Sequence, residues 1–249
     1  MRWCILAAAF TAAPLQAFAR EKGAVTGGGE PVSVVLLLAA LSLLPFVLVM
    51  MTSFVKIAVV LSLLRNAIGT PQIPPTIVLT GLSVILSLYV MAPTGAKVYE
   101  AVRGVAGEEG GKGGLLSAGS ASVLFRAADR AKEPLREFLL RHSDVRDRGM
   151  FLDLARRMRP AEERAGVRDR DLLVVVPAFV VGQLASAFQI GFLIFLPFLV
   201  LDMVVANVLL ALGMHMLSPT TVSLPFKLLL FVLVDGWRLL TQGLVLSYG

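Results

Sequence analysis

The sequence predicts an all-α membrane protein, built from hydrophobic helical hairpins with a small soluble helical insertion. Three stretches without Asp, Glu, Lys or Arg support this prediction: residues 31–55, 66–96 and 172–201. A helix needs only ~20 apolar residues to cross a bilayer. A soluble domain of this size would show shorter, periodic apolar segments instead.

The composition supports the same class and excludes several functions. The chain is 57% hydrophobic and 16% charged, unlike an ordinary soluble domain. Its net charge of +6 indicates contact with anionic lipid rather than nucleic acid, because no basic patch is interleaved with aromatic residues. We expect neither catalysis nor a cofactor, since no phosphate-binding glycine loop, carboxylate pair or Ser/His/Asp set stands in a catalytic context.

The N-terminus predicts a cleavable signal peptide over residues 1–19. A basic start precedes an apolar run, and Ala17-Phe18-Ala19 fits a small-x-small cleavage site. Cleavage would remove Cys4, the only cysteine, and with it any disulfide or thiolate chemistry. The Gly-rich residues 20–31 are expected to form a flexible leader.

Residues 32–93 are predicted to hold the N-terminal hydrophobic helices. The apolar pattern continues beyond the length of one crossing, so the sequence allows either two short helices or one bent helix containing Lys56. Gly69 suits the end of that segment, because glycine adopts the left-handed conformation of a helix C-terminus. The next helix is predicted over 76–92, ending at Pro93 because proline lacks the backbone donor.

Residues 94–171 are predicted to form a soluble helical insertion on the periplasmic side. They hold 16 Lys and Arg and 13 Asp and Glu, including a Gly/Ser-rich loop over 104–122. One helix should begin with Pro134 in its first turn, and a second should be capped at Ser143-Asp144. A cleaved signal followed by two crossings places this region outside the cytoplasm. The positive-inside rule argues against that placement only weakly, because it applies to loops of up to ~60 residues.

Residues 172–249 are predicted to form the C-terminal hydrophobic helices with a Met-rich turn. The apolar segment that begins at Leu172 is followed by a turn-like break over 213–219. The last helix is expected over 222–240.

Among the charged side chains of the apolar segments, five are candidates for a role in assembly: Lys56, Arg65, Asp202, Lys227 and Asp235. An ionisable group at mid-membrane costs ~2.5–3.5 kcal/mol on insertion scales, so such groups usually face protein or water. Asp202 and Lys227 could pair across the turn, and Asp235 could pair with Arg238. We interpret the five as buried charges that support assembly. The alternatives are that Lys56 and Arg65 snorkel near helix ends, and that the other three form an ion relay.

The candidate pore site consists of Met214, His215 and Met216. A non-helical break within an apolar region is tolerated only against protein or a water-filled cavity. Flexible methionine side chains from several copies could close a pore and yield to a passing chain, although methionine is also an ordinary gap-filling core residue. No metal site is expected, because the other histidine, His142, is far away in the sequence.

Ordered motifs stand on both sides of the insertion. On the N-terminal side they are MTSFVK (51–56), LRNAIG (64–69), Pro74-Pro75 and LYVMAP (88–93). On the C-terminal side they are AFQIGF (187–192), LPF (196–198), ALGM (211–214), LPFK (224–227) and DGW (235–237). In this order they resemble the FliP/SctR family of type III export-gate membrane proteins. The insertion resembles that family only at 134–138.

The resemblance implies a core subunit of the type III secretion export apparatus in the bacterial inner membrane. Several copies, a pentamer by the family pattern, would assemble with SctS-, SctT- and SctU-like subunits into a helical cone. Unfolded secreted protein substrates would pass through its centre, sealed by the Met-rich turn. The family pattern tends to carry Met where His215 stands, so the seal of this chain would be less flexible and would favour water.

Two branches share this fold. Matches at 53–67, 88–93 and 240–249 favour the injectisome (SctR/YscR-like) branch, whereas the cleaved signal and the stretch 134–141 resemble the flagellar (FliP-like) branch, which remains the alternative. Two other classes also stay open. One is a small-solute or proton-coupled transporter that uses the embedded charges and works without partner subunits. The other is a passive assembly scaffold that lines no pore.

Overall fold

The structure is a computed structural model that describes residues 39, 42–43, 46–47, 49–70, 72–108 and 118–249. Within 104–125 it describes the backbone of the helical residues but not the surroundings of their side chains. The chain divides into two compact units, Met1–Pro45 and Phe46–Gly249. In the first, the described residues are helical, and Ser42 Oγ donates to Ala39 O at 2.8 Å. The predicted signal peptide, the leader and most of the first hydrophobic segment lie outside the described residues.

The described part of the second unit contains seven α-helices and one 3₁₀ turn after the turn at 51–53. The helices are α1 (Phe54–Ile68), α2 (Thr76–Glu108), α3 (Ala118–Arg141), α4 (Val145–Arg157), α5 (Leu172–Ala211), α6 (Pro219–Leu233) and α7 (Gly236–Leu246), and the 3₁₀ turn is Ala161–Gly166.

The predicted all-α membrane class is confirmed. Among the described residues every regular element is helical. Two helices are long and apolar enough to cross a membrane, Thr76–Arg103 with 28 residues and Leu172–Ala211 with 40. A third crossing is present if α6 and α7, which meet at 60°, together form one span.

A turn separates the first apolar segment from α1, so the two-helix alternative is the correct one. Residues 49 and 50 are helical, residues 51–53 form a turn, and α1 begins at Phe54. Ser53 is fully buried, and its Oγ donates to Ser87 Oγ at 3.2 Å. As predicted, α1 ends at Gly69, which adopts a φ of 88° and donates its N–H to Asn66 O at 3.1 Å.

The predictions of a helix end at Pro93 and a helix start at Pro134 are both wrong. Pro93 lies inside α2, and Pro134 lies inside α3. Each proline removes one backbone donor, but the two helices pack side by side, and this tertiary contact outweighs the local preference. Lys97 and Glu137 join them by an ion pair of 3.1 Å. The predicted loop over 104–122 is likewise helical at both ends, and its centre lies outside the described residues.

The single last helix predicted over 222–240 is also wrong, because the chain bends between α6 and α7. Asp235 adopts a φ of 51°, which is uncommon for a residue with a side chain. At Gly236, a Cβ would overlap the ring of Phe231. The bend therefore requires glycine at 236, and sequence periodicity carries no sign of this contact.

The core forms around α1, which packs against α2, α5 and α6. Ile57, Val60 and Leu61 of α1 are fully buried and contact Ala187 of α5. Further along α1, a second cluster joins Leu64, Ala67 and Ile68 to Phe198 and Phe231. This arrangement packs the apolar side chains of α1 against α5 and α6.

Candidate functional site

The Met-rich turn is the exposed connection between α5 and α6. Gly213 opens it with a φ of 74°, and Met214 donates its N–H back to Leu209 O at 2.9 Å. Met216 is 99% exposed, Met214 is 46% exposed, and His215 is exposed as well. None of the three side chains is used in the core of its own chain, so all three are available for contacts with other molecules.

Asp202 and Lys227 form the ion pair that the sequence predicted across this turn. Lys227 Nζ lies 2.6 Å from Asp202 Oδ2, with the lysine side chain 5% exposed and the aspartate 28% exposed. The hydroxyl of Ser223 donates to Asp202 Oδ1. A buried charge is tolerated only when it is paired and hydrogen-bonded, and here both conditions are met. The pair fastens α6 to α5 below the Met-rich turn.

The same lysine also reaches the end of α1. A Cβ at Gly69 would lie 3.8 Å from Lys227 Nζ, so the ammonium group stands beside the C-terminal cap of α1. The dipole at the C-terminus of a helix favours a cation. Lys227 therefore connects three elements, α1, α5 and α6.

Lys56 belongs to a different group of residues. Its side chain is buried, and its Nζ lies 4.8 Å from the centre of the Tyr248 ring, within the range of a cation–π contact. The Tyr248 hydroxyl donates to Gln183 Oε1 at 2.6 Å, and Gln183 Nε2 donates to His142 O at 2.9 Å. With Phe138, which stacks on Tyr248 at a centroid distance of 6.2 Å, these residues form what we name the Tyr248 cluster.

Sequence reasoning missed the Tyr248 cluster. Gln183 interrupts the apolar pattern of its segment, which was a signal that it needs a partner. Nothing in the sequence indicated that this partner is Tyr248, 65 positions away. The cluster holds the C-terminal segment against α1, α3 and α5.

His142 is a titratable member of this cluster and lies in the connection between α3 and α4, outside the membrane-spanning helices. Burial lowers the pKa of its imidazole, and the positive charges of Arg141 and Lys56 lower it further. Its ring contacts that of Tyr248 edge-on, at a centroid distance of 5.1 Å. A proton on His142 would therefore be introduced close to two existing cations.

The remaining two embedded charges have local partners. Arg65 Nη1 donates to Thr76 Oγ1 at 2.9 Å, which links the end of α1 to the start of α2. Asp235 lies 3.9 Å from Arg238, and both side chains are exposed. An ion relay through Asp202, Lys227 and Asp235 is not assembled here, because Asp235 faces Arg238 at the bend whereas the other two pair with each other.

Comparison with known proteins decides the family. The family described as the FliP family matches residues 37–244. The chain belongs to the FliP family. It is 46% identical over 220 residues to Yop proteins translocation protein R of Yersinia pestis, covering 88% of this chain and 97% of that protein. It is 42% identical over 219 residues to the hypersensitivity response secretion protein HrcR of Ralstonia nicotianae, covering 88% and 98%.

A flagellar relative is equally similar in identity. The flagellar biosynthetic protein FliP of Pectobacterium carotovorum subsp. carotovorum is 46% identical over 218 residues, covering 87% of this chain but 78% of that protein. The relatives of this chain therefore include proteins named for secretion and proteins named for flagella.

This FliP-family chain leaves a continuous apolar face uncovered on α5. Phe188, Phe192 and Leu196 follow one another at four-residue spacing and are 59%, 65% and 40% exposed. Side chains at this spacing lie on one helix face. Large exposed apolar faces mark contact with a membrane or with another protein. The chain can thus embed in lipid, assemble with other subunits, or do both.

Proposed function

We propose that this chain is a membrane subunit of a type III protein-secretion apparatus, in which several copies enclose a channel for unfolded substrates. The observation that carries the proposal is the family match over 37–244, together with alignment along nearly the whole length of relatives named for translocation and secretion. This role needs no catalysis by the chain itself.

The surface of the helices supports assembly with other copies. The exposed face of α5 is lined by bulky apolar side chains, and α2 exposes Leu88 and Tyr89 by 67% and 69%. Asp202 and Lys227 are at the same time paired with each other within the chain, so their charges do not oppose close packing between copies. We propose a pentamer that packs with SctS-, SctT- and SctU-like subunits.

The proposed seal of the channel is formed by Met214, His215 and Met216 from each copy. Their exposure at the tip of the α5–α6 hairpin supports this role, because side chains of one copy can then meet those of the next. Thioether chains are unbranched and flexible, so they can close a narrow opening and still give way to a polypeptide.

Conductance of the purified complex in a planar bilayer tests the seal. Replacing Met214 and Met216 together by alanine should raise ion leakage while leaving the complex assembled, because both side chains are exposed. The matched control is Met158→Ala, an exposed methionine on another part of the chain, which should leave conductance unchanged. Unchanged conductance in the double variant would refute the seal.

The injectisome branch is the better-supported assignment within this function. The relatives named for translocation and hypersensitivity secretion are covered along 97% and 98% of their length, whereas the flagellar FliP relatives of Pectobacterium and of Bacillus subtilis are covered along 78% and 91%. Flagellar export remains the alternative. We expect this chain to restore substrate secretion in a strain that lacks its own injectisome subunit. It should not restore motility in a flagellar mutant.

We further propose an inner-membrane location with residues 94–171 as a periplasmic insertion. The high charge of this segment supports a position outside the bilayer. Met150 is 47% exposed on α4 and gives a site for a reporter thiol. In cells, Met150→Cys should react with a membrane-impermeant maleimide that reaches only the periplasm. Reaction only after the inner membrane is broken would place the segment in the cytoplasm.

A further inference from the structure

We propose that Met214, His215 and Met216 form a binding site for a soft monovalent metal ion, Cu(I) or Ag(I). Two thioethers and one imidazole stand on consecutive residues of the α5–α6 turn. Thioether and imidazole groups suit soft metal ions, whereas hard cations require oxygen ligands. The inference goes beyond the export role and does not depend on it, because all three donor groups belong to one chain.

The donors are free to reach an ion. Met216 is 99% exposed and Met214 46%, and His215 is also exposed, so no core contact has to break before they bind. The turn is tightened by the N–H of His215, which donates to Gly213 O at 3.1 Å. A methionine side chain has three rotatable bonds, so neighbouring thioethers can turn towards the same ion as the imidazole.

The charge around the turn favours a soft cation over a hard one. Residues 203–226 contain no Asp, Glu, Lys or Arg, so the turn offers neither a carboxylate ligand nor a competing cation of its own. It directly follows the C-terminus of α5, a helix end at which the dipole favours positive charge. In the part of the chain that the structure describes, no cluster of three or more His, Cys, Asp or Glu side chains could hold a metal ion.

The site does not need a second histidine. His142 is part of the Tyr248 cluster, so it does not join His215. The two exposed thioethers supply the donors that a second histidine would otherwise provide. The three residues together supply two thioethers and one imidazole. Removing either the thioethers or the imidazole should therefore weaken binding of the metal ion.

Equilibrium dialysis against Ag⁺ in chloride-free buffer tests the site, with the full-length protein in detergent and with Cys4→Ser in the unmodified protein and in every variant, because the Cys4 thiol is itself a ligand for soft metal ions. The unmodified protein should retain Ag⁺, and the double variant Met214→Leu and Met216→Leu should bind at least about tenfold more weakly, the scale set by loss of even an outer partner of a metal ligand. His215→Ala should weaken binding by a similar factor. All three side chains are exposed, so these variants keep the fold.

Met158→Leu is the matched control, because Met158 is 87% exposed at the C-terminal cap of α4 and has no Met or His within two residues on either side. It should leave Ag⁺ binding unchanged. The proposal is overturned if the double variant binds Ag⁺ as tightly as the unmodified protein, or if the control loses as much affinity as the double variant. Neither result would affect the export role, which is tested by conductance and secretion.

Discussion

The buried ion pair between Lys227 and Asp202 is the part of the fold with the largest predicted energetic effect. Replacing Lys227 by methionine keeps the volume of the side chain but removes its charge. Asp202, whose side chain is 28% exposed, then keeps its hydrogen bond from the Ser223 hydroxyl but has lost its cationic partner. Breaking a buried pair in this way costs about 3–5 kcal/mol, and the partial exposure of Asp202 argues for the lower end, about 3 kcal/mol.

Denaturant unfolding of the purified protein in detergent, followed by the loss of helical circular dichroism, measures this cost. Arg238→Met is the control, because the pair that it breaks is exposed and separated by 3.9 Å, and such pairs contribute only about 0–1 kcal/mol. If Lys227→Met costs no more than Arg238→Met, the pair does not stabilise the hairpin and this reasoning is refuted.

A double variant separates the ion pair from simple loss of packing. Combining Lys227→Met with Asp202→Leu removes both charges, and replacing a buried pair by apolar residues is often neutral. Ser223 keeps a second acceptor, Thr220 O at 3.1 Å. The double variant should therefore regain most of the stability that the single variant loses, and a loss equal to the sum of the two single variants would contradict the account.

Three further predictions follow from individual contacts. Gly236→Ala should destabilise the protein by about 1–3 kcal/mol, because the added Cβ would overpack the α6–α7 bend. Gly243→Ala is the control and should not destabilise it, since a Cβ there meets nothing within 4 Å. Thermal unfolding of both variants in detergent measures the difference. Tyr248→Phe should cost about 1–3 kcal/mol because it leaves the buried Gln183 carbonyl without this donor, as denaturant unfolding would measure. Folding lowers the pKa of His142, so as the pH falls the unfolded chain binds a proton at this histidine before the folded chain does. The free energy of unfolding should therefore decrease as the pH drops below about 6.5. The variant His142→Gln should flatten this pH dependence in the same assay.

The features that could be predicted from sequence are those set by local chemistry. Asp144 caps α4 by accepting a hydrogen bond from Arg146 N at 2.8 Å, as expected of an aspartate before a helix. Gly69 ends α1 because only glycine adopts its backbone conformation without strain. The pairing of Asp202 with Lys227 was also predictable, since both are charges in apolar segments on either side of one short turn.

The features that the sequence did not reveal depend on contacts between distant segments. α2 and α3 continue through Pro93 and Pro134 because the two helices support each other, which a rule about single residues does not weigh. The bend at Asp235 depends on where the Phe231 ring lies. Local patterns carry no information on such tertiary contacts.

The mass of the complex extracted in mild detergent, measured by native mass spectrometry, tests the central claim most directly. We expect a complex of five copies with SctS- and SctT-like neighbours, because the proposed channel requires several copies and the apolar face of α5 is open to contact with other chains. A stable single copy surrounded only by detergent and lipid, under conditions that preserve its neighbours in the same membrane, would contradict it.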